Sequence, residues 1–199
     1  MIQIIQKKIE TFYRLYSCPE ISRYLLDSSQ FKSIQEKNNT DPQVLYRDDG
    51  SDVSLGVYLG EKINFNIHRS PKVFSFQDFC VMAEEVSHYI YLIWSKCNGK
   101  KTNLLDLEIQ GEIDKFLLAS DLYKTEASVF EKMFSHCEIR QNINGEDRAR
   151  YVEAHRLGKK LISHFRKKKL SKTQKTNWLR LFYRQNFANR ISMIEHGLH

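Results

Sequence analysis

Glu84, Glu85, Ser87 and His88 sit inside the most apolar stretch of the chain, Phe76 to Trp94. On a helix, Glu84 and His88 are four residues apart and share a face, and Glu85 lies three residues before His88. Two carboxylates and an imidazole within one turn can ligate a divalent metal, move a proton, or neutralise other charges. Around them Phe79, Val81, Met82, Val86, Tyr89, Ile90, Leu92, Ile93 and Trp94 cover nearly the whole circumference, which predicts a central, buried helix. An unpaired buried charge is costly or is given up by a pKa shift, so another element must answer these groups.

The answering element follows directly in sequence. Ser75 with Asp78 three residues on reads as a capping box that starts the first helix, and Asn98-Gly99 ends it. Asn103 to about Ser120 reads as the next helix, and the short connection predicts an antiparallel neighbour. Counting outward from a turn near residue 100 sets His88 level with Glu112 and Glu85 level with Lys115, with Gly111 allowing close approach.

Three chemistries fit that cluster. The segment EExxH resembles the HExxH helix of zinc metallopeptidases, with glutamate in place of the first histidine. The resemblance implies Glu84, His88 and a downstream carboxylate, Glu108 or Glu112, as ligands of a divalent metal, with Glu85 as general base in catalysis. A di-iron bundle would use Glu85 and His88 as an ExxH pair, but it needs a second such pair. His136, His155 and His164 each lack a glutamate three residues earlier. The third reading is a buried polar network of Glu85 with Lys115 and His88 with Glu112, joined by Ser87. Lys115 favours the network, because an ammonium among carboxylates neutralises them without any metal.

A second candidate surface lies in the last quarter of the chain. Residues 154 to 199 hold twelve Lys or Arg and one acid, a net of +11, whereas residues 1 to 153 hold 19 basic and 23 acidic residues, a net of −4. Arg156, Lys159, Lys160, Arg166, Lys167, Lys168, Lys169, Lys172, Arg180 and Arg184 are the candidate contacts to nucleic acid or to an acidic protein surface. Such binding is electrostatic and salt-dependent. An anionic membrane surface fits the charge equally well. No zinc-finger, RRM or KH signature accompanies the charge, so base-specific reading is not implied.

The remaining elements frame these two features. Residues 2 to 16 read as an amphipathic helix, followed by a short helix after Pro19 and a polar stretch from Ser28 to Pro42. Val44 to Tyr46 and Val53 to Leu59 read as the strands of a β-hairpin around an Asp-Gly turn within Arg47 to Asp52, about 43 to 59 in all. Helices are predicted over Glu61 to Ile67, Thr125 to Cys137, Glu146 to Lys169 and Lys172 to Ile194. The fold class expected is mainly α (α+β), a multi-helix domain spanning 1 to 199 with a central antiparallel helix hairpin (about 76 to 96 and 103 to 120) and a strongly basic helical region, 146 to 199. Two adjacent glutamates and a histidine speak against a transmembrane segment at 76 to 94. Four dispersed cysteines suit reduced thiols in a cytoplasm rather than a disulfide framework. The expected function is a soluble intracellular, non-catalytic binding module using the basic helices; the alternative is a metal-dependent hydrolase built on Glu84, Glu85, His88 and Glu108 or Glu112.

Overall fold

The computed structural model describes residues 1–16, 18–34, 41–50, 52–67, 74–123, 125–135, 145–168 and 170–197. The most extensive helix packing is between α4 (Phe76–Cys97) and α5 (Leu104–Tyr123), which run antiparallel across the connection 98–103. α4 is buried around most of its circumference: Met82, Ala83, Val86, Tyr89, Ile90 and Tyr91 are fully inaccessible. Its start is fixed by a capping box in which Ser75 accepts from the Asp78 amide and Asp78 accepts from the Ser75 amide. Lys62 adds a bidentate contact to Asp78, at 2.7 and 2.9 Å, anchoring α3 (Glu61–Asn66) to that cap.

α7 (Gly145–Lys167) packs along α5, and α1 (Ile2–Tyr13) lies mainly against α4. Gly158 makes the α5·α7 approach possible, because a Cβ there would come within 2.9 Å of the Glu112 Cβ. The N-terminal hairpin pairs β1 (Gln43–Asp48) with β2 (Val53–Tyr58), Gln43 opposite Tyr58 and Asp48 opposite Val53. The mainly α architecture with one two-stranded sheet agrees with the sequence reading.

Two element boundaries differ from expectation. Residues within the polar stretch form a short helix, α2 (Ser28–Ile34), because Asp27 Oδ1 caps the Ser29 and Gln30 amides and Phe31 buries its ring against Tyr58. The single terminal helix expected over 172 to 194 is instead two, α8 (Lys172–Arg184) and α9 (Phe187–His196), after α6 (Glu126–Phe134) and α7. The break comes at Gln185 and Asn186, both extended, and the Asn186 side chain caps the Asn189 amide to start α9. Part of the polar stretch expected from Ser28 to Pro42, the end of the helix expected over Thr125 to Cys137 with His136, and Lys169 lie outside the described residues. No helix among the described residues is long and apolar enough to cross a membrane.

Candidate metal centre

α4, α5 and α7 each contribute side chains to one polar cluster inside this core. Among the described residues, one group of side chains converges closely enough to hold a metal: single ligand atoms of Glu84, His88 and Glu108 all lie within 4.8 Å of one another. Glu108 and His88 are more than nine-tenths buried. His88 Nε2 stands 3.6 Å from Glu108 Oε2, and both atoms are buried without a hydrogen-bond partner. Orphaned buried polar atoms are rare, and these two face each other as an ion-pair contact too long for a hydrogen bond.

The backbone explains how they meet. Glu84 and His88 share one face of α4, while Glu108, Gly111 and Lys115 recur at three and four residues and share the opposing face of α5. Gly111 lies flush against the imidazole, where a Cβ would come within 3.0 Å of His88 Nε2 and 3.4 Å of Glu84 Cγ. The level deduced from the sequence therefore holds, since His88 does sit opposite residues 111 and 112. The partner differs, because Glu112 is turned about 100° from Gly111 and points to α7. There it meets His155 Nδ1 at 3.3 Å and Lys115 Nζ at 2.6 Å.

The ion pairs consequently differ from those counted along the chain. Lys115 bonds Glu84, at 2.8 Å, and Glu112, instead of Glu85. Glu85 lies 3.7 Å from His88 Nδ1, long for a hydrogen bond but close enough to orient the ring. Ser87 leaves the cluster altogether and donates to Asp114 at 2.6 Å on the α1 side, where Tyr13 and Gln110 also bond Asp114. Three α7 residues that the sequence reading did not single out complete the site. They are His155, Arg150, whose Nε donates to Glu108 at 3.4 Å, and Tyr151. Their only sequence signal was the 3.6-residue spacing of Tyr151 and His155 on the buried side of a helix otherwise notable for its charge.

The electrostatics follow from burial and neighbours. Burial alone would depress the His88 pKa, but Glu85 and the charges of Glu108 and Glu84 outweigh it and raise the imidazole to about 9. Burial pushes the Glu108 carboxyl up to about 7, with Glu84 and Glu85 adding to the rise against the pull of His88 and Arg150. Burial likewise raises Glu85. Glu112 goes the other way: burial would raise it, but Lys115 and His155 hold it down to about 2. Burial and the charges of Glu108, Glu84 and Glu85 keep the Tyr151 phenol protonated far above its ordinary range. Glu112 is thus held by Lys115 and His155, whereas His88 Nε2 and Glu108 Oε2 face each other without a hydrogen bond. The donor set of one imidazole and carboxylate oxygens suits borderline divalent ions such as zinc, manganese or iron(II).

Most of the basic residues of the C-terminal quarter have internal work. Arg156 and Lys160 both bond Glu195, tying α7 to α9, and Arg156 also holds Glu153. Lys159 donates to the Phe134 carbonyl at the end of α6. Arg180 and Arg184 donate to the Phe12 and Tyr13 carbonyls, at 2.6 and 2.8 Å, satisfying the open C-terminus of α1. Arg166 lies over the Phe130 ring at 4.2 Å. Arg190 is wholly buried, paired with Asp106 and donating to Tyr91 at 2.5 Å and Gln110 at 2.6 Å. Lys167, Lys168 and Lys172 project from the surface. No family model, curated protein or solved structure matches this chain.

Proposed function

We propose that the protein is a metal-dependent hydrolase in which Glu84, His88 and Glu108 hold one divalent ion. The observation that carries this reading is the pair of unpartnered buried atoms, His88 Nε2 and Glu108 Oε2, aimed at a common point beside Glu84. Two helical residues four apart plus a carboxylate from the next helix is the ligand arrangement that the EExxH resemblance implies. A bound ion would supply a water acidified enough to attack at neutral pH. Glu85, facing the other ring nitrogen, orients His88 in the manner of a carboxylate behind a ligating histidine, and this displaces it from the role of general base. Arg150 and Lys115 hold the second oxygens of Glu108 and Glu84, fixing both carboxylates. Tyr151, protonated beside three carboxylates, is the neutral donor available to a developing oxyanion. Glu84, Arg150 and His155 are partly exposed and form the edge through which a substrate would approach.

The test is metal content. Protein dialysed free of metal and then equilibrated with zinc, manganese or iron(II) should bind close to one equivalent. His88→Ala and Glu108→Gln should each lose it, and Glu112→Gln should keep it. Absence of binding for all three ions would end this reading.

The binding-module reading, in which basic helices contact nucleic acid or an acidic protein, draws its support from the surface lysines of α7 and α8. The many internal partners of Arg156, Lys159, Lys160, Arg180 and Arg184 lower that support. Its test is retention of a duplex oligonucleotide that falls steeply as salt rises.

A further inference from the structure

None of the metal-cluster residues lines a separate cleft that the described residues form. That cleft, about 730 Å³, is enclosed by α1, the C-terminal half of α5, the start of α6, α7 and α8. Its volume falls in the range of small-molecule sites, about 300–1,000 Å³. The wall is apolar: Phe116, Ile162, Phe165 and Leu179 are buried behind it, and Phe12 and Leu117 stand partly exposed along it. The deep polar residues Tyr13 and Asp114 are already bonded to each other at 2.6 Å, so they offer little to a polar ligand. Ser120 also lines the cleft, and its hydroxyl is buried with no hydrogen-bond partner.

The mouth has the opposite character. Lys7 and Lys8 from α1 meet Arg166, Lys172 and Lys175 from α7 and α8, against only Asp121 and Glu126. Lys8 pairs with Asp121, and Lys175 approaches Glu126 at 3.4 Å, both at the surface where such pairs are weak and readily exchanged. Lys7 and Lys172 are exposed and have no acidic partner among the described residues. Cations from two distant parts of the chain thus gather at the rim of one apolar chamber. Like charges held together are relieved by an anion, and an apolar chamber by a hydrocarbon.

We infer that this cleft binds a single-chain amphiphile, its hydrocarbon tail against Phe116, Ile162, Phe165 and Leu179 and its anionic head, a carboxylate or a phosphate, between Lys7 and Lys172. The site is independent of the metal reading, since it shares no residue with it. It also absorbs part of the C-terminal basicity that the metal cluster leaves unused.

The probe compounds are dodecanoate, dodecyl phosphate, dodecanol and dodecyltrimethylammonium, each below its micelle-forming concentration, together with inorganic phosphate. Titration calorimetry on the full chain, with Trp178 fluorescence as a second signal, reads the binding; Trp178 packs edge-on to Phe165 at 5.1 Å between ring centres. Saturable one-to-one binding of dodecanoate or dodecyl phosphate is expected, whichever head binds tighter identifying the headgroup. Dodecanol, dodecyltrimethylammonium and inorganic phosphate should each bind at least tenfold more weakly. The surface double variant Lys7→Glu with Lys172→Glu should weaken the anionic ligands at least tenfold and leave dodecanol unchanged. Leu117→Trp, at a partly exposed wall position, should weaken all chain compounds together. Equal affinity for cationic and anionic chains, indifference to the double variant, or attachment only to anionic vesicles without monomer binding would overturn the inference.

Discussion

Replacing Lys115 by Met tests whether the central cluster is balanced by an internal cation. Lys115 Nζ lies 2.8 Å from Glu84 and 2.6 Å from Glu112, and its side chain is 11% exposed against 20% and 14% for its partners. Burial would lower the pKa of this ammonium, yet the two carboxylates raise it well above the ordinary lysine value. Removing one member of a fully buried pair costs about 3–5 kcal/mol. Partial exposure of Glu84 and the remaining contact of Glu112 with His155 reduce that to about 2–4 kcal/mol. For a chain of this size each kcal/mol corresponds to about 2–4 °C, so Tm of the metal-free variant should fall by about 4–16 °C. A divalent ion present at 100 times its Kd returns about 2.7 kcal/mol. Because Lys115→Met also frees Glu84 and Glu112, zinc or manganese should raise its Tm by more than it raises that of the parent protein. The assay is thermal denaturation followed by circular dichroism, with and without metal after chelator treatment. A metal-free loss below about 1 kcal/mol, or a metal-induced rise no larger than the parent's, would refute the assignment of Lys115 as the internal counter-cation.

Three further outcomes are expected. Arg190→Met removes the close cation of wholly buried Asp106 and leaves it Tyr91 and the longer contact of Lys100, so it should cost about 2–4 kcal/mol in urea denaturation; a loss near that of a surface substitution would contradict the buried pairing. Gly111→Ala places a methyl group 3.0 Å from His88 Nε2 and should weaken metal binding at least tenfold by calorimetry; unchanged affinity would show that the imidazole does not need its present position. Burial, then the charge of Arg190, lowers the Lys100 pKa from 10.5 to about 8. Between those values the unfolded chain keeps a proton that the folded chain has lost, so stability should rise with pH from about 8 towards 10.5. The urea midpoint of Lys100→Met should lose that slope, and an unaltered slope would assign it to another group.

The central helix pair was legible because its signals are local. An apolar run capped by Ser75 and Asp78, stopped at Asn98-Gly99 and followed by a short connection, leaves α4 and α5 few other ways to pack. The level of His88 against residues 111 and 112 followed from the same count. Its partner did not, because rise along a helix can be counted from a turn whereas the rotation of each face depends on what else packs there. α7 decided that rotation by drawing Glu112 towards His155, leaving Glu108 to His88. α7 and α5 are separated in sequence by α6 and by residues outside those described, so no periodicity could announce the contact. Ser87 likewise turned to Asp114, on another face of α5, a carboxylate that Tyr13 of α1 and Gln110 also bond. The C-terminal charge was read as a surface because sequence reports charge and not its partners. Arg180 and Arg184 serve carbonyls at the end of α1, more than 160 residues earlier.

The buried pairing of Arg190 with Asp106 bridges 84 positions of sequence. A ribosome adding about 5–20 residues per second releases Asp106 about 4–17 s before Arg190 exists. Throughout that interval Asp106 has Tyr91, which donates to it at 3.0 Å, and the longer contact of Lys100 at 3.8 Å. Only α9 then supplies the buried guanidinium that pairs closely with it. α9 thus completes late a buried ion pair whose carboxylate comes from the middle of the chain.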